Sequence, residues 1–390
     1  MNKHTTTLAK NTVWVPIAGL TVFSIGSGYL MSLLPLSLKQ FDFNADAASW
    51  LASVFYLGLL IGSMFIEKAI VHLGHQRAFV GFISLLVASV VTMASFTELS
   101  AWLFSRLVAG IAVAGIFVVI ESWLLIGDNA QQRAKNLGLY MTSLYGGTTL
   151  GQFGVGIVGT NGVMPFFVIA GLLILAALPM VVTQNANPEC SEHQSLPLRK
   201  MLALSKPAII GCIVSGMVMG SIYGLLPLNL ASTASDTQQV GVLMAVTVLG
   251  GMFIQPIVGK IANQVSKSLL LAAFSLLGVF AMGMYLLDQH YTTQIIALAL
   301  LGMSAFALYP IAITLACDGL ASSAIVSATQ VMLFSYSVGS VAGPMLANEF
   351  IQGAMGRSIG LMGFFFSIFL ATAIYMLIAS VKTKPQAIVS

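Results

Sequence analysis

Charge is what this sequence has least of. Aspartate, glutamate, lysine and arginine make up 7% of the chain, against roughly a quarter of a soluble domain. That scarcity excludes a protein wetted over most of its surface. Cysteine is scarce too: Cys190, Cys212 and Cys317 are an odd number without metal-ligand spacing, which argues for free thiols and against a disulfide framework or a metal site. The histidines His4, His72, His75, His193 and His290 fall in connectors or at the N-terminus, and none has a His-Glu-x-x-His spacing. A polytopic enzyme acting on lipid would need such a cluster or a nucleophile–base pair. A Walker-type phosphate loop is missing, so ATP does not drive the protein directly and no cofactor is implied. No soluble stretch is long enough for a sensor or scaffold domain. The net charge of +4 is modest and calls for no nucleic acid.

What is present is apolar. Hydrophobic residues are 58% of the chain, more than a soluble core needs, so lipid is the solvent for most of it. A spanning helix takes about 20 apolar residues, and twelve fit into the 390 residues. They are expected near 13–36, 47–70, 78–97, 101–125, 136–159, 163–183, 207–230, 238–261, 268–287, 292–316, 323–349 and 357–381. With a cytoplasmic N-terminus, thirteen basic residues lie on the cytoplasmic side: Lys3, Lys10, Lys68, Arg77, Arg133, Lys135, Arg199, Lys200, Lys206, Lys260, Lys267, Lys382 and Lys384. Only Lys39 and Arg357 lie opposite, and Arg106 is inside a helix. The positive-inside rule therefore sets both termini in the cytoplasm. The polar start runs directly into an apolar stretch too long for a signal-peptide core, so no cleavable leader is expected.

One constant offset relates the two halves. Leu34-Pro35-Leu36 recurs as Leu226-Pro227-Leu228, Leu57-Gly58 as Leu249-Gly250, and Gly147 and Gly151 as Gly339 and Gly343. The connector Val71–His75 falls on Asn263–Lys267 at the same spacing of 192. Duplicated multi-helix halves are the build of many secondary transporters. The domains follow: an N-terminal six-helix bundle over 1–183, a cytoplasmic linker over 184–206 and a C-terminal six-helix bundle over 207–390. The expected fold is an all-α membrane protein with twelve transmembrane helices, its central cavity lined mainly by helices one, four, seven and ten.

Local motifs sharpen this. After the second helix comes Glu67-Lys68-Ala69-Ile70-Val71-His72-Leu73-Gly74-His75-Gln76-Arg77, and the second copy is Gly259-Lys260-Ile261-Ala262-Asn263-Gln264-Val265-Ser266-Lys267. Arg106-Leu107-Val108-Ala109-Gly110, Glu121-Ser122-Trp123-Leu124, Arg133, Tyr140 and Gly151-Gln152 follow in the first half. Leu308-Tyr309-Pro310-Ile311-Ala312, Ala316-Cys317-Asp318, Ser335–Ser340 and Gly343-Pro344 follow in the second. In these strings the sequence resembles the major facilitator superfamily, and within it the YcaD-like branch of bacterial inner-membrane transporters. The resemblance implies a cytoplasmic gate at Glu67, Gly74, Arg77, Gly259, Asn263, Lys267 and Asp318. It also exposes a departure, because Val71 and Asn263 stand where the superfamily's connector carries an acid. Gly138, Gly147 and Gly151 resemble the glycine-rich motif of its antiporters, with Gln152 in place of the usual proline.

Arg106 is the sharpest candidate, a cation in an otherwise apolar helix. Such a charge costs several kcal/mol unless it faces water or the protein interior; the alternative is a stem that snorkels to the outer interface. Glu121 follows fifteen residues later, about 22 Å along a helix axis and within about 60° of the same face. The competing reading pairs it with Lys135 or Arg133 at the cytoplasmic interface. Tyr29, Tyr140, Tyr223, Tyr309 and Tyr336 lie in helices, where a ring with one hydroxyl suits the wall of a solute pathway. Gln152 and Gln255 are buried amides that need partners or a water-filled cavity.

The expected function is a secondary active transporter moving a small organic solute across the inner membrane by alternating access, coupled to protons and oriented to export. The chain is expected to act as a monomer in the lipid bilayer. A uniporter or importer of the same solute class is the alternative, with a lipid-acting enzyme behind it. The basic asymmetry gives a test of topology. In a cysteine-free background, single cysteines placed at Glu192 and Asp236 should react with an impermeant maleimide from opposite sides of intact cells, only the Asp236 site labelling from outside.

Overall fold

A computed structural model describes residues 3–125, 130–182, 205–262, 264–288, 290–318, 322–353 and 356–382. Among them are twelve long helices and no strand. In the first half these are α1 (Lys3–Ser37), α2 (Ala47–Leu73), α3 (His75–Ser95), α4 (Leu99–Leu125), α5 (Ala130–Gln152) and α6 (Met164–Val182). In the second they are α7 (Lys206–Ala231), α8 (Thr237–Ile261), α9 (Lys267–Leu287), α10 (Tyr291–Cys317), α11 (Ser322–Gln352) and α12 (Gly356–Lys382).

Most boundaries fall within a few residues of the sequence expectation, but those of two helices do not. Helix α1 starts at Lys3 rather than near 13. Helix α5 runs from Ala130 to Gln152 rather than from near 136 to near 159. Beyond Gln152 comes a single turn over Gly154–Ile157, and Gly159 then adopts φ +89°, a conformation that favours glycine. Gly154 lies beneath the Tyr29 ring, where a Cβ would come within 2.7 Å of its Cγ.

Polar side chains hold the backbone at the starts of two helices. At α8, Asp236 Oδ1 accepts the Gln239 N–H at 2.7 Å while Gln239 Oε1 accepts the Ser235 N–H at 2.7 Å, a reciprocal cap of otherwise orphaned donors. Before α10, Asp288 accepts the Thr293 hydroxyl at 2.6 Å and the His290 N–H at 3.0 Å. These two bonds, Thr293 foremost, hold its exposed carboxyl below the ordinary aspartate range. Hydroxyls inside helices mostly donate to their own backbone, as Thr21 does to Ile17 and Thr247 to Leu243, which keeps them satisfied without a neighbour.

Ten of the twelve helices contain a stretch long and apolar enough to cross a membrane. The other two, α5 and α11, hold the same place in each half. Several of their polar residues are buried in protein: Thr148, Thr149 and Gln152 in α5, and Ser335, Ser337, Ser340 and Asn348 in α11.

The described chain divides into two compact units. The first comprises Met1–His193 with Ser221–Leu249, and the second Gln194–Gly220 with Gly250–Ser390. The boundary therefore passes through α7 and α8. In the first unit, Gly241 of α8 rests on the end of α5, where a Cβ would lie 2.6 Å from the Gln152 carbonyl oxygen, and Gln238 sits against Gly156. The far end of this unit's core is aromatic: buried Trp102 meets Phe41, Phe43 and Phe166 at ring-centroid distances of 5.0, 5.1 and 5.7 Å. Its indole N–H donates to the Phe96 carbonyl at 2.9 Å.

The internal duplication is written most clearly in backbone contacts. A Cβ on Gly28 of α1 would lie 2.5 Å from the Thr148 carbonyl oxygen of α5. A Cβ on Gly220 of α7 would lie 2.6 Å from that of Ser340 in α11. Both members of the second pair are 192 residues beyond the first. The pattern repeats for Gly151 on Ile25 and Gly343 on Met217, and for Gly58 on Leu107 and Gly250 on Ala299. Glycine at these points lets two helix backbones touch, the source of van der Waals attraction between helices in lipid.

A matched pair of substitutions tests this packing. Gly58→Ala drives a methyl into the Leu107 carbonyl and should destabilise by about 1–3 kcal/mol, as overpacking does. Gly138→Ala meets nothing within 4 Å and should stabilise by up to about 1 kcal/mol, since alanine is the better helix former. Thermal unfolding of both purified variants should move them in opposite directions.

Candidate functional site

Arg106 lies two turns inside α4 and is 8% exposed. Its guanidinium carbon sits 4.2 Å from the centroid of the Phe55 ring, a cation–π contact that compensates part of the lost hydration. Its Nε donates to the Leu51 carbonyl at 3.3 Å. Two small cavities border it, both within the first unit. Leu34 and Pro35 of α1, Phe55 and Tyr56 of α2, and Tyr223 and Gly224 of α7 shape the larger. Ser27 and Leu30 of α1, Leu86 of α3 and Leu173 of α6 help to shape the smaller. The larger has about 30 Å³ of free room, enough for one or two waters, so a solute reaches Arg106 only when the walls part. Among the described residues, no acid lines either cavity. A charge buried without a counter-ion costs several kcal/mol, which the Phe55 ring and the Leu51 carbonyl offset only in part.

Glu121 stands exposed on the last turns of α4, and the buried Tyr140 of α5 donates its hydroxyl to Oε1 at 2.7 Å. The side chains of Arg133 and Lys135, the competing partners, lie outside the described residues. In the second unit the rings of Tyr309 and Tyr336 face each other with centroids 4.9 Å apart. Gln255 bridges α8 to α10 by donating to the Phe306 carbonyl at 3.1 Å.

Two other candidates are engaged elsewhere. Tyr29 lines neither cavity; it is buried at 1% exposure and donates to the Gly159 carbonyl at 2.5 Å. Fully buried Gln152 donates to the Gly28 carbonyl at 2.9 Å and accepts the Ser32 hydroxyl at 2.5 Å. It thus clasps α5 to α1 where backbone contact is tightest. Helix α2, which sequence reasoning left off the wall, supplies Phe55 and Tyr56. The available signal was an aromatic pair adjoining Gly58, the glycine through which α2 touches α4.

Comparison with known proteins places this arrangement. A family model described as Major Facilitator Superfamily matches residues 17–344. The chain belongs to the major facilitator superfamily. It is 31% identical over 369 residues to the MFS-type transporter YcaD of Escherichia coli O9:H4 (strain HS), covering 92% of this chain and 94% of that protein. The same figures hold for YcaD of Escherichia coli K12 (strain DH10B). Among solved structures, a point mutant of the nucleoside transporter NupG superposes with a TM-score of 0.80 over 94% of this chain and 99% of that one, at 11% identity. A bacterial homologue of the human lysosomal transporter Spinster gives 0.71 over 96% of each chain, at 14% identity. At such identities these structures share the fold. The chain is thus a multi-pass membrane transporter of a small solute, with twelve transmembrane helices in two pseudo-symmetric six-helix halves, from a family of transporters rather than enzymes.

The residues expected at a cytoplasmic gate lie at helix ends and joints. Gly74, at φ +75°, is the single residue between α2 and α3. Arg77 and Gly259 are exposed. Lys267 and Asp318 form an ion pair at 2.8 Å between the start of α9 and the end of α10. With side chains 17% and 53% exposed, it contributes no more than about 1 kcal/mol. The Glu67 side chain and Asn263 lie outside the described residues. Sequence reasoning set His75 in a connector, but it is the first residue of α3 and only 1% exposed. Its Nε2 lies 3.0 Å from Ser122 Oγ, whose hydroxyl hydrogen goes to Val118 at 2.6 Å or Val119 at 3.0 Å, so His75 is the donor of that pair. Its ring meets Trp123 edge-on at 5.9 Å. His75 and Lys267 are 192 residues apart and make the same join in the two halves.

The Gln152 clasp carries a prediction. Gln152→Leu leaves the Ser32 hydroxyl and the Gly28 carbonyl without that partner inside the protein, and should lower stability by about 1–3 kcal/mol, the cost of unpaired buried groups. Thermal unfolding in detergent checks it.

Proposed function

We propose that this protein is a proton-coupled secondary transporter of a small organic solute, working by alternating access as a monomer in the bacterial inner membrane with both termini cytoplasmic. The observation that carries the reading is the pairing of roles along α4: a buried guanidinium with no acid among the described residues of its cavities at one end, and a carboxylate held by Tyr140 at the other. The first attracts a solute, and the second exchanges a proton. A driven cycle without nucleotide must use an ion gradient. Carboxylates that pass between water and low dielectric are suited to it, because the two settings favour different protonation states. In this reading the N-terminal bundle spans 1–183 and the C-terminal bundle 207–390. Arg106, Glu121, Tyr140 and Tyr223 belong to the pathway on one side, and Tyr309, Tyr336 and Gln255 on the other. Tyr29 and Gln152 support it by fixing α1 to α5. Glu67, Gly74, Arg77, Gly259, Asn263, Lys267 and Asp318 form the cytoplasmic gate. The glycine spacing at 138, 147 and 151 favours export.

The test is transport in proteoliposomes with and without an imposed pH gradient. Glu121→Gln should abolish gradient-driven accumulation, at least tenfold, while leaving solute exchange largely intact, and Arg106→Ala should impair both. Full pH-driven accumulation by Glu121→Gln would remove Glu121 from the coupling role and favour a uniporter or a sodium-linked cycle.

A further inference from the structure

We infer that the solute is a planar aromatic monocarboxylate, bound through its carboxylate to Arg106 and through its ring to Phe55, Tyr56 and Tyr223. This rests on the transport reading above and names the substrate class of the same site.

The charge arithmetic of the site selects the class. Arg106 is the one cation among the described residues bordering its two cavities, and neither border contains an acid. Its Nε is taken by the Leu51 carbonyl. The terminal nitrogens of the guanidinium form the fork that matches a carboxylate with two parallel bonds. One fixed positive charge balances one negative charge. A dianion or a polyphosphate would bring a second charge into an apolar wall with nothing to meet it. A zwitterion would bring an ammonium group, and no acid among the described residues borders either cavity to meet it. A neutral solute would leave the buried guanidinium with the Phe55 ring and the Leu51 carbonyl but no counter-charge. The monoanion is the class that satisfies the site.

The walls select the body of the solute. Pro35 and Leu34 of α1 face the larger cavity with Phe55, Tyr56 and Tyr223. The rings of Phe55 and Tyr56 stand edge to face at 5.3 Å between centroids, and the guanidinium already lies over Phe55. Gly224, beside Tyr223, puts no side chain into the space. Aromatic walls with hydroxyls at Tyr56 and Tyr223 favour a flat apolar ring with a polar edge.

The test is equilibrium binding of radiolabelled benzoate to the purified full-length protein in lipid nanodiscs, with competition by unlabelled benzoate, benzamide, phenylalanine and phthalate. Saturable benzoate binding is expected, displaced at least tenfold better by benzoate than by the neutral, zwitterionic or dianionic analogues. Arg106→Gln should lose at least tenfold in benzoate affinity. Phe55→Leu should weaken benzoate several-fold. Absence of saturable benzoate binding, equal competition by benzamide or phenylalanine, or wild-type benzoate affinity in Arg106→Gln overturns the inference. If Arg106→Gln is not monodisperse, the competition series on the wild type decides alone. Proteoliposome counterflow separates the two readings. Benzoate binding without counterflow sinks the transporter assignment and keeps the anion site. Translocation of a neutral solute that benzoate does not inhibit sinks the anion site and keeps the transporter.

Discussion

Apolar helices in a bilayer gain nothing by leaving lipid, since hydrocarbon tails are as apolar as leucine. What holds them is contact at short range, and this chain obtains it by placing glycine where two backbones cross. Gly28, Gly58 and Gly151 do so in one half, and Gly220, Gly250 and Gly343 in the other. Everything else rests on these crossings. The α2–α4 crossing at Gly58 and Gly110 brings Phe55 under Arg106. The α1–α5 crossing at Gly28 and Gly151 brings Gln152 within reach of Ser32.

Because those contacts are made by particular residues at a fixed offset, much of the fold was legible in the sequence. The 192-residue echo names the crossings before any coordinates do, since backbone contact tolerates little besides glycine and the duplication preserves it. Helix ends were legible where a side chain caps them, as Asp236 and Gln239 do for α8. They were not at the end of α5. Helix α5 ends at Gln152, just before Gly154, over which Tyr29, far away in sequence, lies.

The site was legible in its charges and in Tyr223, but not in the α2 side of its wall. Arg106 stands out because a cation in an apolar helix is costly wherever it is placed. The surroundings that give it meaning come from α1, α2 and α7, elements far apart in the chain whose apolar residues look like any others. Tyr29 shows the converse limit. A tyrosine in a helix suggests a pathway wall, but its hydroxyl is satisfied by the Gly159 carbonyl, a partner made available by a break in α5 that the sequence does not announce.

The single residue between α2 and α3 bears on how the two halves can deform. Gly74 offers two soft backbone dihedrals at that elbow, whereas α8 ends in a hydrogen-bonded turn, the Gln264 and Val265 N–H groups both donating to the Ile261 carbonyl. The first elbow is further pinned by buried His75 on Ser122, and the second by a half-exposed ion pair. The same join is therefore closed by a buried imidazole in one half and by an ion pair open to solvent in the other. Salt screens only the second.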